Sequence, residues 1–486
     1  MKNISENIKD FKTLEKTVFR IMCKISCEIM RDALHELDRE IMAQRDIKRF
    51  RCIDVRPTTI KTVMGEVEYE RRYYKEAGKG YLFLLDEALG IKSEFGQISE
   101  NLAEQLLNEC TDKSFRKAAE SISSITGQAI SPTGAWGVIQ RFGGVAGKQL
   151  DHMESLAGRD VVGQLGNVGC RVLFEEYDDI YLSMQPEKRR QSPPPVRKGK
   201  KKPRKRALHI GMSYTGWRHV GSGRYETVDK IAYASFSEAK PFLSKIQALQ
   251  QQRYDMDGVQ LRIVNGDGAK WIRSAADAGD VILQLDTYHR NKAVIKSVGD
   301  RAERNALFEV IKEKDVGNIL SSVEALIAGA RDAREREKLE DLHLYFYENR
   351  ESLLTWQERG VELPEPPPGI EYRNLGAQES CNGSIVTQRM KHRKASWTPA
   401  GANNMLLALC LRHTVGYDLL LGTLPDTPSG IAHAEPLSAA RTPQYDGEGY
   451  TGRTAPMPFD QTFRTNGREA IKGLLRRRPL ADLSFR

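Results

Sequence analysis

Between Arg171 and Asn291 the chain alternates strand-like and helix-like runs in one order, and that order limits the fold more than any other feature. Arg171 to Met184, Ala207 to Trp217 and Thr227 to Phe236 are strand-like. A helix follows with Phe242, Leu243, Ile246 and Leu249 on one face. Then come the strand Val259 to Val264, a helix-compatible run from Ala269 to Ala278, and the strand Asp280 to Leu285. The series β-β-β-α-β-α-β predicts an α/β domain on a mixed sheet. Asp267 sits where a strand ends and a helix begins, between Gly266 and Gly268. That edge exposes a carboxylate beside close-approaching backbone, which suits a metal or a phosphate, although ordinary turns share the pattern.

Acids also interrupt the first strand. Glu175, Glu176, Asp178 and Asp179 lie in an otherwise apolar run, and strand interiors disfavour Asp. Asp178 shares its side-chain phase with Ile180, Leu182 and Met184, and Asp179 shares that of Tyr177 and Tyr181, so phase alone does not choose between them. Three antiparallel strands followed by alternating helices and strands is the RNase H-like order. In that fold two metal carboxylates fall on the first strand and at the end of the fourth, where Asp178 and Asp267 stand. Asp286 and His289 lie just past the fifth strand and either support such a site or cap a helix.

The flanks divide into segments. Residues 1–95 hold a long helix (12 to 45, apolar at three- and four-residue spacing) and a hairpin turning at Met64-Gly65. The helix packs on its own domain or pairs with a second copy. Arg71, Arg72, Tyr73 and Tyr74 mix cations with aromatics, for cross-strand packing or for nucleic acid. Residues 96–160 are helical. Ser131 is placed to cap a helix with Pro132 at its first position. Residues 114–142 therefore suit a helix-turn-helix with 132–142 as reader, and a structural helix pair has the same spacing. The core runs over 165–291, with a basic loop at 186–206. Residues 292–368 read as an all-α insertion closed by a Pro-rich stretch, 369–422 as the completion of the core, and 423–486 as a flexible tail. In the completion, Glu379, Val386, Met390 and Arg393 are spaced to share one helix stripe.

Charge points to an anionic partner. The 486 residues carry 74 Lys+Arg against 65 Asp+Glu, a net charge of +9. Eleven cations and no acid lie between Lys188 and Arg206. These include Arg197, Lys198, Lys200, Lys201, Lys202, Arg204, Lys205 and Arg206, a tract that binds phosphate backbones by default. Arg389, Lys391 and Arg393 make a second cationic cluster. The seven cysteines include no Cys-x-x-Cys, which argues against zinc and for reduced thiols. The start lacks the apolar core of a signal peptide, and the apolar region from Met405 to Leu421 is broken by Arg412, His413 and Asp418. A soluble, cytoplasmic protein is expected.

Several short motifs together carry a family resemblance over residues 10 to 415. They are Thr58-Thr59-Ile60-Lys61-Thr62 with Gly65-Glu66-Val67, Leu84-Leu85-Asp86-Glu87, Phe174-Glu175-Glu176-Tyr177-Asp178, Asn265-Gly266-Asp267-Gly268-Ala269, Leu285-Asp286 with His289, Gly376-Ala377-Gln378-Glu379-Ser380, Arg389-Met390-Lys391 and Ser396-Trp397. In these the chain resembles bacterial insertion-sequence transposases of the ISLre group, DDE enzymes with an RNase H-like core. The resemblance implies catalytic Asp178, Asp267 and Glu379 holding Mg²⁺ or Mn²⁺ as two ions. Where the family has Asp-Gly at the first acid this chain has Asp178-Asp179, so Asp179 is the alternative ligand. The implied reaction is DNA cleavage at element ends and joining of a 3′-hydroxyl to target DNA, by a homodimer or higher oligomer. Arg116, Lys117, Thr133 and Arg141 would then contact the terminal inverted repeats. Trp397 either stacks on a displaced base or packs in the core.

Overall fold

The computed structural model describes residues 10–91, 97–156, 166–185, 204–276, 280–392 and 395–414. These divide into two compact units, residues up to Arg141 and residues from Phe142 onward, which is coarser than the segments read from sequence.

The first unit begins with α1 (Phe11–Gln44), capped by Asp10, whose carboxylate accepts the Thr13 N–H at 2.7 Å. The hairpin β1 (Phe50–Lys61) and β2 (Glu66–Glu76) follows, then β3 (Tyr81–Leu82) and α2 (Leu84–Leu89), with the three strands in order β1-β2-β3. Leu37 and Ile41 of α1 bury against Phe50, Val67, Tyr74, Leu84 and Leu85. Arg71 pairs with Asp86 and lies over the Phe83 ring, Arg72 pairs with the buried Asp38, and Tyr73 stacks on Tyr81. This cation-aromatic cluster is thus spent on packing the sheet. α3 (Glu100–Asp112), α4 (Phe115–Thr126) and α5 (Pro132–Leu156) come next, α5 crossing the boundary between the units. Ser131 Oγ accepts the Gly134 N–H at 2.9 Å, the expected cap.

The second unit is built on one mixed sheet. After β4 (Val168–Gly169) come β5 (Val172–Met184) and β6 (Arg204–Tyr214), the small hairpin β7 (Gly216–His219) and β8 (Tyr225–Val228), and β9 (Ile231–Ser235). α6 (Ala239–Arg253), β10 (Tyr254–Asp255), β11 (Leu261–Gly266), α7 (Lys270–Arg273) and β12 (Val281–Leu285) complete it. The sheet order is β12-β11-β5-β6-β9. β6 runs antiparallel to both β5 and β9, while β11 runs parallel to both β5 and β12. The hairpin from 216 to 228 is an addition to the expected series. One face of the sheet is covered by an apolar cluster that joins Tyr177 and Val264 to Phe242, Ile246 and Ile272.

Beyond the sheet stand α8 (Thr287–Ser297), α9 (Arg301–Lys312), α10 (Val316–Ala328) and α11 (Ala333–Glu348). They share their own core of Val294, Leu307, Ile311, Ile319, Val323, Leu339 and Phe346, as the charged, strand-free segment predicts. α12 (Ala377–Cys381) continues through a π-helical stretch (382–387) into α13 (Gln388–Met390), and α14 (Pro399–Thr414) is largely buried. The π-helical stretch breaks the expected stripe. It widens the turn, so Val386 and Met390 are buried while Glu379 is exposed. Among the described residues no helix is long and apolar enough to cross a membrane.

Candidate active site

Alternation along β5 sorts its acids onto two faces. Glu175, Tyr177 and Asp179 point one way. Glu175 is fully buried, takes the Tyr177 hydroxyl at 2.6 Å, and meets the Arg262 guanidinium at 2.6 and 3.1 Å. Asp179 Oδ1 lies 2.6 Å from His209 Nδ1. Glu176 and Asp178 point the other way. Asp178 Oδ1 accepts the Asp179 N–H at 2.7 Å and Oδ2 accepts the Asn382 amide at 2.6 Å. Burial raises the Asp178 carboxyl above its usual range, and the negative charge of Asp267 adds to this against His289 and the hydrogen bonds.

Asp267 follows the last residue of β11. Its Oδ1 accepts the Ala269 N–H at 2.9 Å, and its carbonyl accepts the Tyr345 hydroxyl of α11 at 2.8 Å. Both flanking glycines are required here. A Cβ on Gly266 would lie 2.7 Å from Ile272, and Gly268 has φ +87° with Asn349 2.6 Å from where a Cβ would stand.

Asp286 follows β12 and caps α8, accepting the His289 N–H at 3.0 Å with Nδ1 of the same histidine 3.1 Å away. Of the two alternatives read for this pair, capping is what these atoms do, on the rim of the cleft that both residues line. Burial works to raise the Asp286 carboxyl, yet the hydrogen bonds from His289 and Asn265 hold it below its usual range. His289 is raised, chiefly by its bond to Asp286 and against burial, with the charges of Asp178, Asp286 and Asp267 contributing.

Asp178, Asp179, Asp286, His289, Glu379 and Lys391 line one cleft of about 400 Å³ within the second unit. Glu379 reaches it from the first turn of α12. Asp267 is not among its lining residues; it stands just past β11, which pairs with β5, and its charge helps raise the Asp178 carboxyl. The donors are hard oxygens of the kind that bind Mg²⁺ or Mn²⁺. Among the described residues no three His, Cys, Asp or Glu side chains are gathered closely enough to hold a metal ion as they stand.

Residues to which the sequence reading gave no site role organise this cleft. Asn382, on the π-helical stretch, grips Asp178. Glu176 is fully buried and accepts five hydrogen bonds, and burial pushes its carboxyl up to about 7 despite them. Asn265 donates to Glu176 at 3.1 Å and to Asp286 at 2.9 Å, and accepts from Gln284 at 3.0 Å. The alternation that places Glu176 with Asp178 was legible. The partners of Asn382 and Asn265, far away in sequence, were not.

Other expected contacts lie elsewhere. Arg116, Lys117, Thr133 and Arg141 are exposed on α4 and α5 of the first unit. Lys205 and Arg206 are exposed on β6, with Arg206 over the Phe236 ring. Arg197, Lys198, Lys200, Lys201, Lys202, the Arg204 side chain, Arg393 and the tail from 423 lie outside the described residues. Arg389, expected among the DNA contacts, is 5% exposed and sits over the Trp397 ring. Trp397 is also buried, its indole N–H donating to the Met390 carbonyl at 3.1 Å, as the core-packing alternative expects.

Comparison with known proteins gives relatives of similar length. A UPF0236 protein in the vanSb 3′ region of Streptococcus gallolyticus is 21% identical over 84% of each chain. A UPF0236 protein of Caldanaerobacter subterraneus subsp. tengcongensis is 25% identical over 74% of this chain and 71% of its own. That relative bears eleven locus names in one genome, and another there, 24% identical over 67% of this chain and 63% of its own, bears four. The model of the uncharacterised protein family UPF0236 matches residues 4–419, so the chain belongs to the UPF0236 family.

Proposed function

We propose that this protein is the transposase of a bacterial insertion sequence of the ISLre type, a DDE enzyme that cuts and joins DNA at the element's ends. The observation that carries this reading is that Asp178 and Glu379, from separate parts of the chain, line one cleft, with Asp267 just past the strand that pairs with β5. Asp178 comes from β5, Asp267 from the end of β11, and Glu379 from beyond the helical insertion. The charge of Asp267 helps raise the Asp178 carboxyl, and Glu379 opens on the cleft that Asp178 lines. The strand order β12-β11-β5-β6-β9, with β6 antiparallel to its neighbours, is the order expected of an RNase H-like core and supports the same reading. Relatives with eleven and four locus names in one genome suit a gene that copies itself.

In this reading Asp178, Asp267 and Glu379 hold Mg²⁺ or Mn²⁺, a pair of ions that, when bound, favours attack on phosphorus and departure of the leaving oxygen. Asn382 and the Asp179 N–H fix the Asp178 carboxylate, and the turn at Gly266 to Gly268 fixes Asp267. Lys292 and Lys391 line the cleft and would meet DNA phosphates, while the exposed Tyr288, with the Lys292 ammonium 5.0 Å from its ring centre, offers a face to a base. The exposed residues of α4 and α5 would contact the terminal inverted repeats. The working form is a homodimer or higher oligomer on DNA, in the bacterial cytoplasm.

The test is strand transfer with labelled element-end DNA, target DNA and Mg²⁺ or Mn²⁺. Wild type should give joined products, and Asp267→Asn should lower them at least about a thousandfold, as expected when a group acting on the transition state is lost. Cut but never joined products would indicate a hydrolytic nuclease. Binding without either product would indicate a catalytically inactive DNA-binding derivative.

A further inference from the structure

We infer that Glu176 is a positioning residue, whose buried carboxylate docks the segment carrying Glu379 onto the sheet beside Asp178. Its consequence for catalysis rests on the proposed function, but the docking itself is measurable without it. Glu176 is 0% exposed, and both its oxygens are engaged. Oε1 accepts the Tyr214 hydroxyl at 2.6 Å and the Ala377 N–H at 3.1 Å. Oε2 accepts the Gly376 N–H at 2.9 Å, the Gln378 N–H at 3.3 Å and the Asn265 amide at 3.1 Å. Three of these five donors are backbone N–H groups at the start of α12, which has no side-chain cap of its own. Such groups must find an acceptor when a helix start is buried. Here the acceptor is supplied from some 200 residues earlier in the chain, and it ties the helix to the central strand. Glu379 is the next residue after the third donor, Gln378.

Charge is not what sets Glu176 apart. Glu175, its neighbour, is equally buried and is neutralised by Arg262 on the opposite face. The pair therefore gives an internal control, since the same substitution at either site disturbs the same strand. A glutamine at 176 keeps the size but turns an N–H₂ toward a ring of donors, leaving at least one of them unmet.

The experiment is hydrogen exchange by mass spectrometry on the full chain, comparing wild type, Glu176→Gln and Glu175→Gln. Loss of a buried charge-assisted acceptor corresponds to about tenfold or more in local opening. Glu176→Gln should therefore speed exchange across 376–382 by at least that factor, while Glu175→Gln leaves those amides at the wild-type rate. Wild-type protection of 376–382 in Glu176→Gln, or equal loosening in both variants, would overturn the inference. Should Glu176→Gln fail to fold, Tyr214→Phe removes one donor only. It should speed exchange over the same residues about threefold, the lower end of a single hydrogen bond, and unchanged rates there would overturn the inference. In strand transfer, Glu176→Gln should raise the half-saturating Mn²⁺ concentration at least about fivefold relative to Glu175→Gln, because the misplaced residue is a hard-oxygen ligand. An equal Mn²⁺ requirement in the two would also overturn it. Absence of any Mn²⁺-dependent product from wild type, with the exchange contrast intact, would sink the transposase reading and leave the docking role standing.

Discussion

The two faces of β5 carry the same kind of residue to different ends. On one face, Glu175 and Asp179 are each met by a basic side chain, Arg262 and His209. On the other, Glu176 and Asp178 are met by neutral donors, and two further acids, Asp267 and Asp286, stand close enough to perturb them. The compensated acids tie β5 to its two neighbouring strands, through Arg262 of β11 and His209 of β6. On the uncompensated face Asp178 lines the cleft, where a cation can use its charge, and Glu176 is given over to buried donors. What separates a structural acid from a candidate functional one here is the company it keeps across the sheet, not its residue type or its burial.

The largest effect should come from breaking the compensated face. Glu175→Ala takes the carboxylate from the largely buried Arg262 guanidinium, leaving its charge uncompensated, and should cost about 3–5 kcal/mol in urea unfolding. The double change Glu175→Leu with Arg262→Met should recover most of that stability, because replacing a whole buried ion pair is often neutral. A double variant as unstable as the single one would mean that the pair does more than neutralise itself.

A smaller effect should follow at the seam between the acids. Asn265→Ala removes the amide that donates to both Glu176 and Asp286, and should destabilise by about 1–3 kcal/mol. Strand transfer should fall further than that loss of folded protein explains.

The smallest effect is on pH. His289 has a raised value in the folded protein, so its contribution is complete below the ordinary histidine range and is lost as pH rises through the folded value. Asp286 is lowered, so its contribution is present above the ordinary aspartate range and is lost as pH falls through the folded value. Together they stabilise most between about pH 4 and 6.5, by no more than about 1 kcal/mol for a partly exposed pair. Unfolding in chelator should show the decline above that window, and His289→Phe should flatten it.

Much of this arrangement was legible from local chemistry. The glycines about Asp267 mark a strand end that tolerates no Cβ, Ser131-Pro132 marks a helix start, and the apolar spacing from 12 to 45 marks α1. What was not legible depends on distant residues or on irregular backbone. Asp178 and Asp179 differ only in that Asn382 meets one and His209 the other, and neither partner is near in sequence. The stripe drawn through Glu379, Val386 and Met390 assumed a regular helix, and the π-helical turn at 382–387 leaves no periodic signature to warn of it. Trp397 and Arg389 had the composition of a nucleic-acid contact, but both are buried against each other.

The most direct test of the two-face account is strand transfer by Asp178→Asn beside Asp179→Asn. The substitutions are the same in size and charge and stand one residue apart on opposite faces. The account predicts that Asp178→Asn falls at least about a thousandfold, to background, while Asp179→Asn stays within about fivefold of wild type. Equal loss in both, or a selective loss in Asp179→Asn, would contradict it.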